Sequence, residues 1–417
     1  MKYLYLISLI IICYNVVTGQ PYVVGGKTKH RFAQLNLGFD TRTFLPNGSE
    51  FTFINSLGLI EKAELKNQTE TRLIIGGTHF WGHADFYIAF PAALFGGSGF
   101  KSRFETGTKI FPWRIEQRKL RPYFGAAWLT TRYEQGEGVQ QIRNKFPLVT
   151  GFVYNIKNHL IELGAGYNYN NSNSYYINTT YKTQIKTQPF WISLGYKIMI
   201  ETTLSAEKDW KSGKTKAMTD TLAKLRKLNG LTVAIGPSTA IFLKEATHNA
   251  NVAPFIDNHK IANVFPEIGV GYYLHKPDLQ FNLAYRNISS RNEAYGYLQE
   301  VNRKALTFEV YKFFADYNGF AVFAGPAISQ EWLKVKENNL MGETELSTFN
   351  GIKPGVTFGW DIRPNRLESW YLRTNLRWFP NLNVRMRSGK NVPFDQLEFN
   401  FIQLVVFPDR LFKNGNK

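Results

Sequence analysis

The sequence predicts an all-β fold: one closed, transmembrane antiparallel barrel of about fourteen, or sixteen, strands. Composition, side-chain periodicity and the alternating length of the linkers predict it. The 417-residue chain holds 33 Phe, 22 Tyr and 34 Gly, and aromatics make up 15% of it. That mixture suits many strands joined by tight turns. Mean hydropathy is −0.27, as expected when outward apolar and inward polar residues alternate and cancel.

The first residues read as a leader to be removed. Lys2 precedes an apolar run from Leu4 to Cys13, and Val17 and Gly19 suit cleavage before Gln20, so 1–19 is expected to be a secretory signal peptide. Ile11 and Ile12 before Cys13 disfavour a lipoprotein signal. Cys13 is the sole cysteine, which excludes disulfides and thiolate metal sites from the mature chain. No Pro/Ser-rich linker and no apolar run of helical spanning length follows. Residues 20–417 are therefore expected to form a single barrel domain.

The alternation runs strand by strand. Phe190, Ile192, Leu194, Tyr196, Ile198 and Ile200 share one face, opposite Ser193, Gly195, Lys197 and Glu201. Ile161, Leu163, Ala165, Tyr167 and Tyr169 oppose Glu162, Gly164, Gly166, Asn168 and Asn170. The same holds at 278–286, 352–363 and 370–378. Soluble sandwiches also alternate, but strands of about ten residues are what a tilted bilayer crossing requires.

The linkers alternate between short turns (156–158, 275–277, 316–318, 364–368) and longer polar loops (135–143, 171–186, 247–261, 290–302, 336–350, 380–395). Strands are expected at 101–112, 120–134, 144–155, 159–170, 187–203, 230–246, 262–274, 278–289, 303–315, 319–335, 351–363, 369–379 and 396–407, with further candidates at 33–44, 50–60 and within 72–90. An even total follows if both termini are periplasmic. One connection, 204–229, is expected to hold a short amphipathic helix: Met218, Leu222 and Leu225 lie at helical spacing, and Lys224, Arg226 and Lys227 crowd its last turn. It would stand below the barrel as a contact for a periplasmic partner, or fold into the lumen.

On these residues the chain resembles the outer-membrane β-barrel proteins of Gram-negative bacteria, and in its Asn, Lys and Tyr usage those of the Bacteroidota. The last strand carries the most specific element, "LEFNFIQLVVF", in which Leu397, Phe399, Phe401, Val405 and Phe407 are expected to share a face. The resemblance implies an outer-membrane location and makes Phe399, Phe401 and Phe407 a signal read by the barrel-assembly machinery. The chain departs from that pattern in continuing to Lys417 and in Gln403. Six Phe-Pro pairs, at Phe90, Phe111, Phe146, Phe265, Phe379 and Phe407, are expected at barrel rims, where proline ends pairing and aromatic rings form a girdle.

The formal charge is +18. For an exported barrel this points to lipopolysaccharide phosphates or anionic solutes rather than nucleic acid. Expected lumen-lining residues are His83, Asp85, Tyr87, Lys197, Glu201, Arg286, Lys353, Arg363, Arg373 and Arg377. A porin-like channel or transporter for small solutes, anionic ones among them, is the expected function. The alternative is a non-enzymatic membrane-embedded scaffold or accessory barrel of a secretion or surface-assembly system. No cofactor or metal is expected, and no enzyme: the sequence has no G-x-S-x-G, no His in H-x-S, and "GGSGF" lacks the final glycine in register. His248 and His259 share one expected external loop, where they read as solvated.

The stretch "GGTHFWGHADFYIAF" (76–90) imitates a metal motif. Read as one strand, it sets His79 and His83 about 13 Å apart, too far for one ion. That reading turns His83, Asp85 and Tyr87 to the interior.

Overall fold

The computed structural model describes residues 23–24, 27–28, 33–45, 50–54, 59–64, 67–95, 100–134, 140–201, 214–243, 246–256, 264–317, 320–363 and 369–411. The expected leader, His259 and the side chains of Glu201 and Met218 lie outside the described residues.

Eight strands form a first ring: β1 (Ala33–Phe44), β2 (Gln68–His79), β3 (Ala84–Phe95), β4 (Phe100–Ile110), β5 (Leu120–Glu134), β6 (in two pieces, Gln140–Lys145 and Leu148–Ile156), β7 (His159–Tyr167) and β8 (Phe190–Glu201). Each pairs antiparallel with its chain neighbours, and β8 returns to β1 with Lys197 opposite Gly38. A second closed ring follows: β9 (Gly230–Phe242), β10 (Phe265–Leu274), β11 (Leu279–Ala294), β12 (Tyr297–Tyr317), β13 (Phe320–Asn338), β14 (Thr344–Ile362), β15 (Trp370–Trp378) and β16 (Gln396–Val406). Its seam joins β9 to β16, with Val233 opposite Val406.

The expected single barrel over 20–417 is thus corrected to two barrels of eight strands each. The strand positions follow the alternation closely, but alternation says only which residues face in. It does not say which strand closes the ring. The connection after β8 is long, so the edge of β8 is free to pair with β1 instead of β9. Helix α1 (Lys214–Lys224) lies in this connection, inside the expected 204–229 insertion.

Three local expectations are also corrected. Residues 72–90 are two strands, not one: β2 ends at His79, a turn of 3₁₀ helix spans Phe80–Gly82, and β3 starts at Ala84. Phe80 and Trp81 both have positive φ, which folds the chain sharply back. The expected loop 290–302 is a hairpin, because β11 and β12 continue to a two-residue turn at Tyr295 and Gly296. Both turn residues have positive φ, as primed hairpin turns require. Beyond the bilayer both faces of a strand are wet, so the hydropathy period that marks the crossing is lost; β13 and β14 extend likewise into 336–350.

The last strand carries a bulge. Ser238 of β9 faces Asn400 while Ile235 faces Leu404. The extra residue switches the inward face, so Gln403, Val405 and Phe407 are buried inside while Leu397 and Phe399 lie on the outer side. The five apolar residues expected on one face are therefore divided between two. The Phe-Pro girdle is corrected too: Phe111, Phe265, Phe379 and Phe407 are buried, and Phe90-Pro91 lies within β3 at a register shift.

Candidate functional site: sealed lumens and the external face

Both barrels are inside-out relative to a soluble protein. Leu194, Leu163, Ile235 and Ile352 are 53–68% exposed on the outer walls, while the largest fully buried side chains include Arg42, Arg286, Arg303, Arg373, Arg377 and Lys197. An apolar outer band on a closed barrel is the surface of a protein that crosses a bilayer with strands, and closure leaves no sheet edge in the hydrocarbon. The chain is a β-barrel protein whose outer walls are those of a membrane-spanning barrel.

An eight-stranded barrel has an interior just wide enough for side chains to fill. In the first lumen, Arg42 pairs with Glu70 and with Glu105 (2.6 Å). Arg72 bridges Asp40 (2.5 Å) and Glu105 (2.8 Å). Lys197 reaches Asp85 at 2.8 Å and Glu162 at 3.1 Å, and Lys109 also pairs with Glu162. Tyr87 and Tyr123 donate hydroxyl hydrogen bonds to Glu105 and Glu162, at 2.7 and 2.8 Å.

The second lumen is built in three layers. At the end of the short turns, periplasmic by the rule that barrels place their short turns there, Tyr311, Phe313, Phe323, Tyr371 and Phe407 form an apolar plug. Above it, Arg377 clasps Glu267 through two bonds of 2.6 Å and also pairs with Glu309. Arg373 pairs with Asp361 (2.7 Å), Arg286 with Glu398 (2.5 Å), and Arg303 with Glu331 (2.7 Å) and Glu398 (2.7 Å). At the external end the hairpin Asn383–Arg385/Asn391–Pro393 tucks Leu382, Val384, Met386 and Val392 against Val301, Leu333 and Val335. These ionic, aromatic and aliphatic layers bury the lumenal side chains among the described residues.

Of the expected lumen residues, Asp85, Tyr87, Lys197, Arg286, Arg363, Arg373 and Arg377 are inward and buried. They fall in two separate lumens, and all but Tyr87 are held in ion pairs. Lys353 is half-buried near the external rim, where Nζ donates to the Asn381 carbonyl at 3.2 Å. His83 is the correction. It sits exposed in the turn after the 3₁₀ segment, its Nδ1 2.9 Å from the Phe111 carbonyl oxygen, because the turn removes it from the strand that carries Asp85. Glu267, Glu309, Glu331 and Glu398, which the sequence reading did not single out, join the inward cations of the second barrel. His248, expected to be solvated, is 2% exposed.

The two barrels touch through their outer walls. Phe104 and Trp128 of the first meet Phe401 of the second, with the Phe104 and Phe401 rings 6.2 Å apart and near perpendicular. Phe86 faces Trp360 at 5.8 Å, and His79 faces Phe320 at 5.8 Å. Beside this interface lies an apolar cavity of about 360 Å³ lined by Ile75, Ile88, Trp128, Ile362, Leu372 and Phe401. Externally, helix α2 (Thr247–Val252) leads into Phe255 and Ile256, which pack with Tyr176 of the hairpin Ser172–Tyr176/Lys182–Lys186 and with Tyr297. Tyr295 donates to the Tyr176 carbonyl at 2.6 Å, joining the external faces of the two barrels.

No family model matches the chain, and no curated protein matches it. Among solved structures, the attachment invasion locus protein Ail of Yersinia pestis is similar at 10% identity and a TM-score of 0.29, covering 43% of this chain and 97% of that one. Neisserial surface protein A is similar at 14% identity and a TM-score of 0.27, over 43% and 97% of the two chains. An outer-membrane channel of Pseudomonas putida F1 is similar at 8% identity and a TM-score of 0.21, over 93% and 98%.

Proposed function

We propose that the protein is a membrane-embedded scaffold rather than a porin-like channel, with its working surface on the outside of the cell. The observation that carries this reading is the paired and plugged interior of both barrels. A solute would have to break buried ion pairs such as Arg377 with Glu267 and Glu309, each of which becomes costly once one partner is left alone. What remains available is the joined external face and the outer wall below it.

On that wall Arg291, Lys304, Lys334 and Lys336, with Glu300 between Arg291 and Lys336, line a polar groove that begins at Lys304, opposite Trp332. The outward residues change there from aromatic to cationic. This is where a bilayer surface would present phosphate, and lipopolysaccharide phosphates are its proposed partner. The barrel-assembly machinery, reading the final strand, and a periplasmic partner at 204–229 complete the proposed set.

Planar bilayer recording of the purified full-length protein tests the reading. Silent insertion, with no stepwise conductance, is the expected result. Regular conductance steps from the unmodified protein would return the channel reading to first place.

A further inference from the structure

The His248 ring lies between two side chains brought in from distant strands and turns. Nε2 is 2.8 Å from Oε2 of Glu337, at the external end of β13, and Nδ1 is 2.8 Å from Oγ of Ser388, at the tip of the external hairpin. His248 and Glu337 are 2% and 4% exposed, whereas Ser388 is exposed. A carboxylate can only accept, so Nε2 carries the ring hydrogen and donates it to Glu337. In the neutral ring that leaves the lone pair on Nδ1 facing the Ser388 hydroxyl. Nδ1 is then the nitrogen able to take the serine proton, with the roles of the two ring nitrogens exchanged relative to the usual triad.

We propose that Ser388, His248 and Glu337 form a serine-hydrolase triad on the external face, acting on acyl esters presented from outside the cell. The supporting shell fits a positioned base. Gln299 Nε2 donates to the other Glu337 oxygen at 2.5 Å, and Gln299 and Asn249 exchange two amide hydrogen bonds of 2.8 and 3.1 Å. Thr247 Oγ1 donates to the Asn391 carbonyl at 3.3 Å, tying the segment that carries His248 to the hairpin that carries Ser388. Gly389, at φ +75°, makes the tight turn beside the serine. The Lys390 N–H donates to Ser388 Oγ at 3.3 Å and helps fix the hydroxyl in the turn. The exposed Arg387 and Lys390 on either side of Ser388 favour an ester bearing negative charge.

Glu337 is five residues beyond Trp332 on β13, about 16 Å further from the bilayer at strand rise. The ester is therefore one that reaches the surface from the medium, not one buried among acyl chains. Ser388 Oγ adds to the carbonyl carbon while its proton passes to Nδ1. The acyl C–O bond then breaks, and the alcohol leaves with that proton. Water adds to the acyl-serine, giving a proton to Nδ1, and the bond to Oγ breaks to release the acid and restore the serine.

The test uses full-length protein in detergent micelles, a fluorophosphonate probe and 4-nitrophenyl acetate. The triad predicts probe attached to Ser388 by peptide mapping and ester hydrolysis above the protein-free rate, both lost in Ser388→Ala. Exposure of Ser388 lets that variant keep its heat-modifiable migration. His248→Gln is expected to lower hydrolysis about 10²-fold or more, the scale of general-base catalysis. For Glu337 as positioning residue, Glu337→Gln slows labelling and Glu337→Asp restores part of it, with migration unchanged in both. Absence of probe from Ser388, or hydrolysis that persists in Ser388→Ala, overturns the proposal.

Discussion

Arg303 donates to Glu331 through both Nε and Nη2, at 2.8 and 2.7 Å, and its third arm reaches Glu398 at 2.7 Å. All three side chains are 1% exposed or less. One cation thus fastens β12, β13 and β16 across the lumen. Arg303→Ala strands the buried Glu331, while Glu398 keeps Arg286, and is expected to cost about 3–5 kcal/mol. Adding Glu331→Gln should recover part of the loss, because the stranded charge is removed. Urea titrations followed by heat-modifiable migration measure both.

Phe104 and Phe401 hold the barrels together across their outer walls. Lipid chains are as apolar as the rings, so the contact contributes packing rather than relief from water. A double-mutant cycle of Phe104→Ala and Phe401→Ala is expected to give a coupling energy of about 0.5–1.5 kcal/mol. Additive losses would mean the two rings do not meet in the membrane.

Gly38 lies at the seam of the first barrel, where a Cβ would come within 2.0 Å of the Tyr196 carbonyl oxygen and 2.6 Å of the Lys197 Cα. No rotamer relieves a clash with backbone. Gly38→Ala should therefore lower the yield of heat-modifiable protein, while the same change at Gly342, where a Cβ meets nothing within 4 Å, should leave the barrel assembled.

Glu337 titrates below an ordinary glutamate. Burial alone would raise its carboxyl, but hydrogen bonds from His248 and Gln299 hold it down. With the folded value depressed, its contribution is present above the unfolded value near 4.3 and is lost as pH falls through the folded one. Hydrogen exchange in the hairpin Asn383–Arg385/Asn391–Pro393 should speed up in acid below about pH 4. Glu337→Gln should blunt that acid response.

The cationic groove should matter only where phosphate is present. Replacing Lys304, Lys334 and Lys336 by Gln is expected to weaken lipopolysaccharide binding by about 1 kcal/mol per residue. Binding to vesicles of zwitterionic lipid should not change.

The crossings were legible because the bilayer writes a period of two into each strand; β1 and β5 match their expected bounds residue for residue. The assembly of the strands was not. Lys197 reads as an inward cation from β8 alone, but its partners Asp85 and Glu162 lie 112 and 35 residues away and become neighbours only once a ring of eight is closed. The triad was hidden for the same reason. Ser388, His248 and Glu337 share no local motif, and polar loops carry no periodicity that would show which turn packs on which strand. A usable hint lay in "RSGK" (387–390), a serine before the glycine of a tight turn.

Oxidative cross-linking of paired cysteines in isolated outer membranes tests the two-barrel architecture most directly. Phe39→Cys with Tyr196→Cys probes the β1–β8 seam, and Ile235→Cys with Leu404→Cys probes the β9–β16 seam. Directly opposed residues of an antiparallel pair stand about 4.5–5.5 Å apart, within disulfide reach. Two closed barrels predict efficient cross-linking at both seams. Failure at both, together with cross-linking between β1 and β16, would show one large ring and contradict the account.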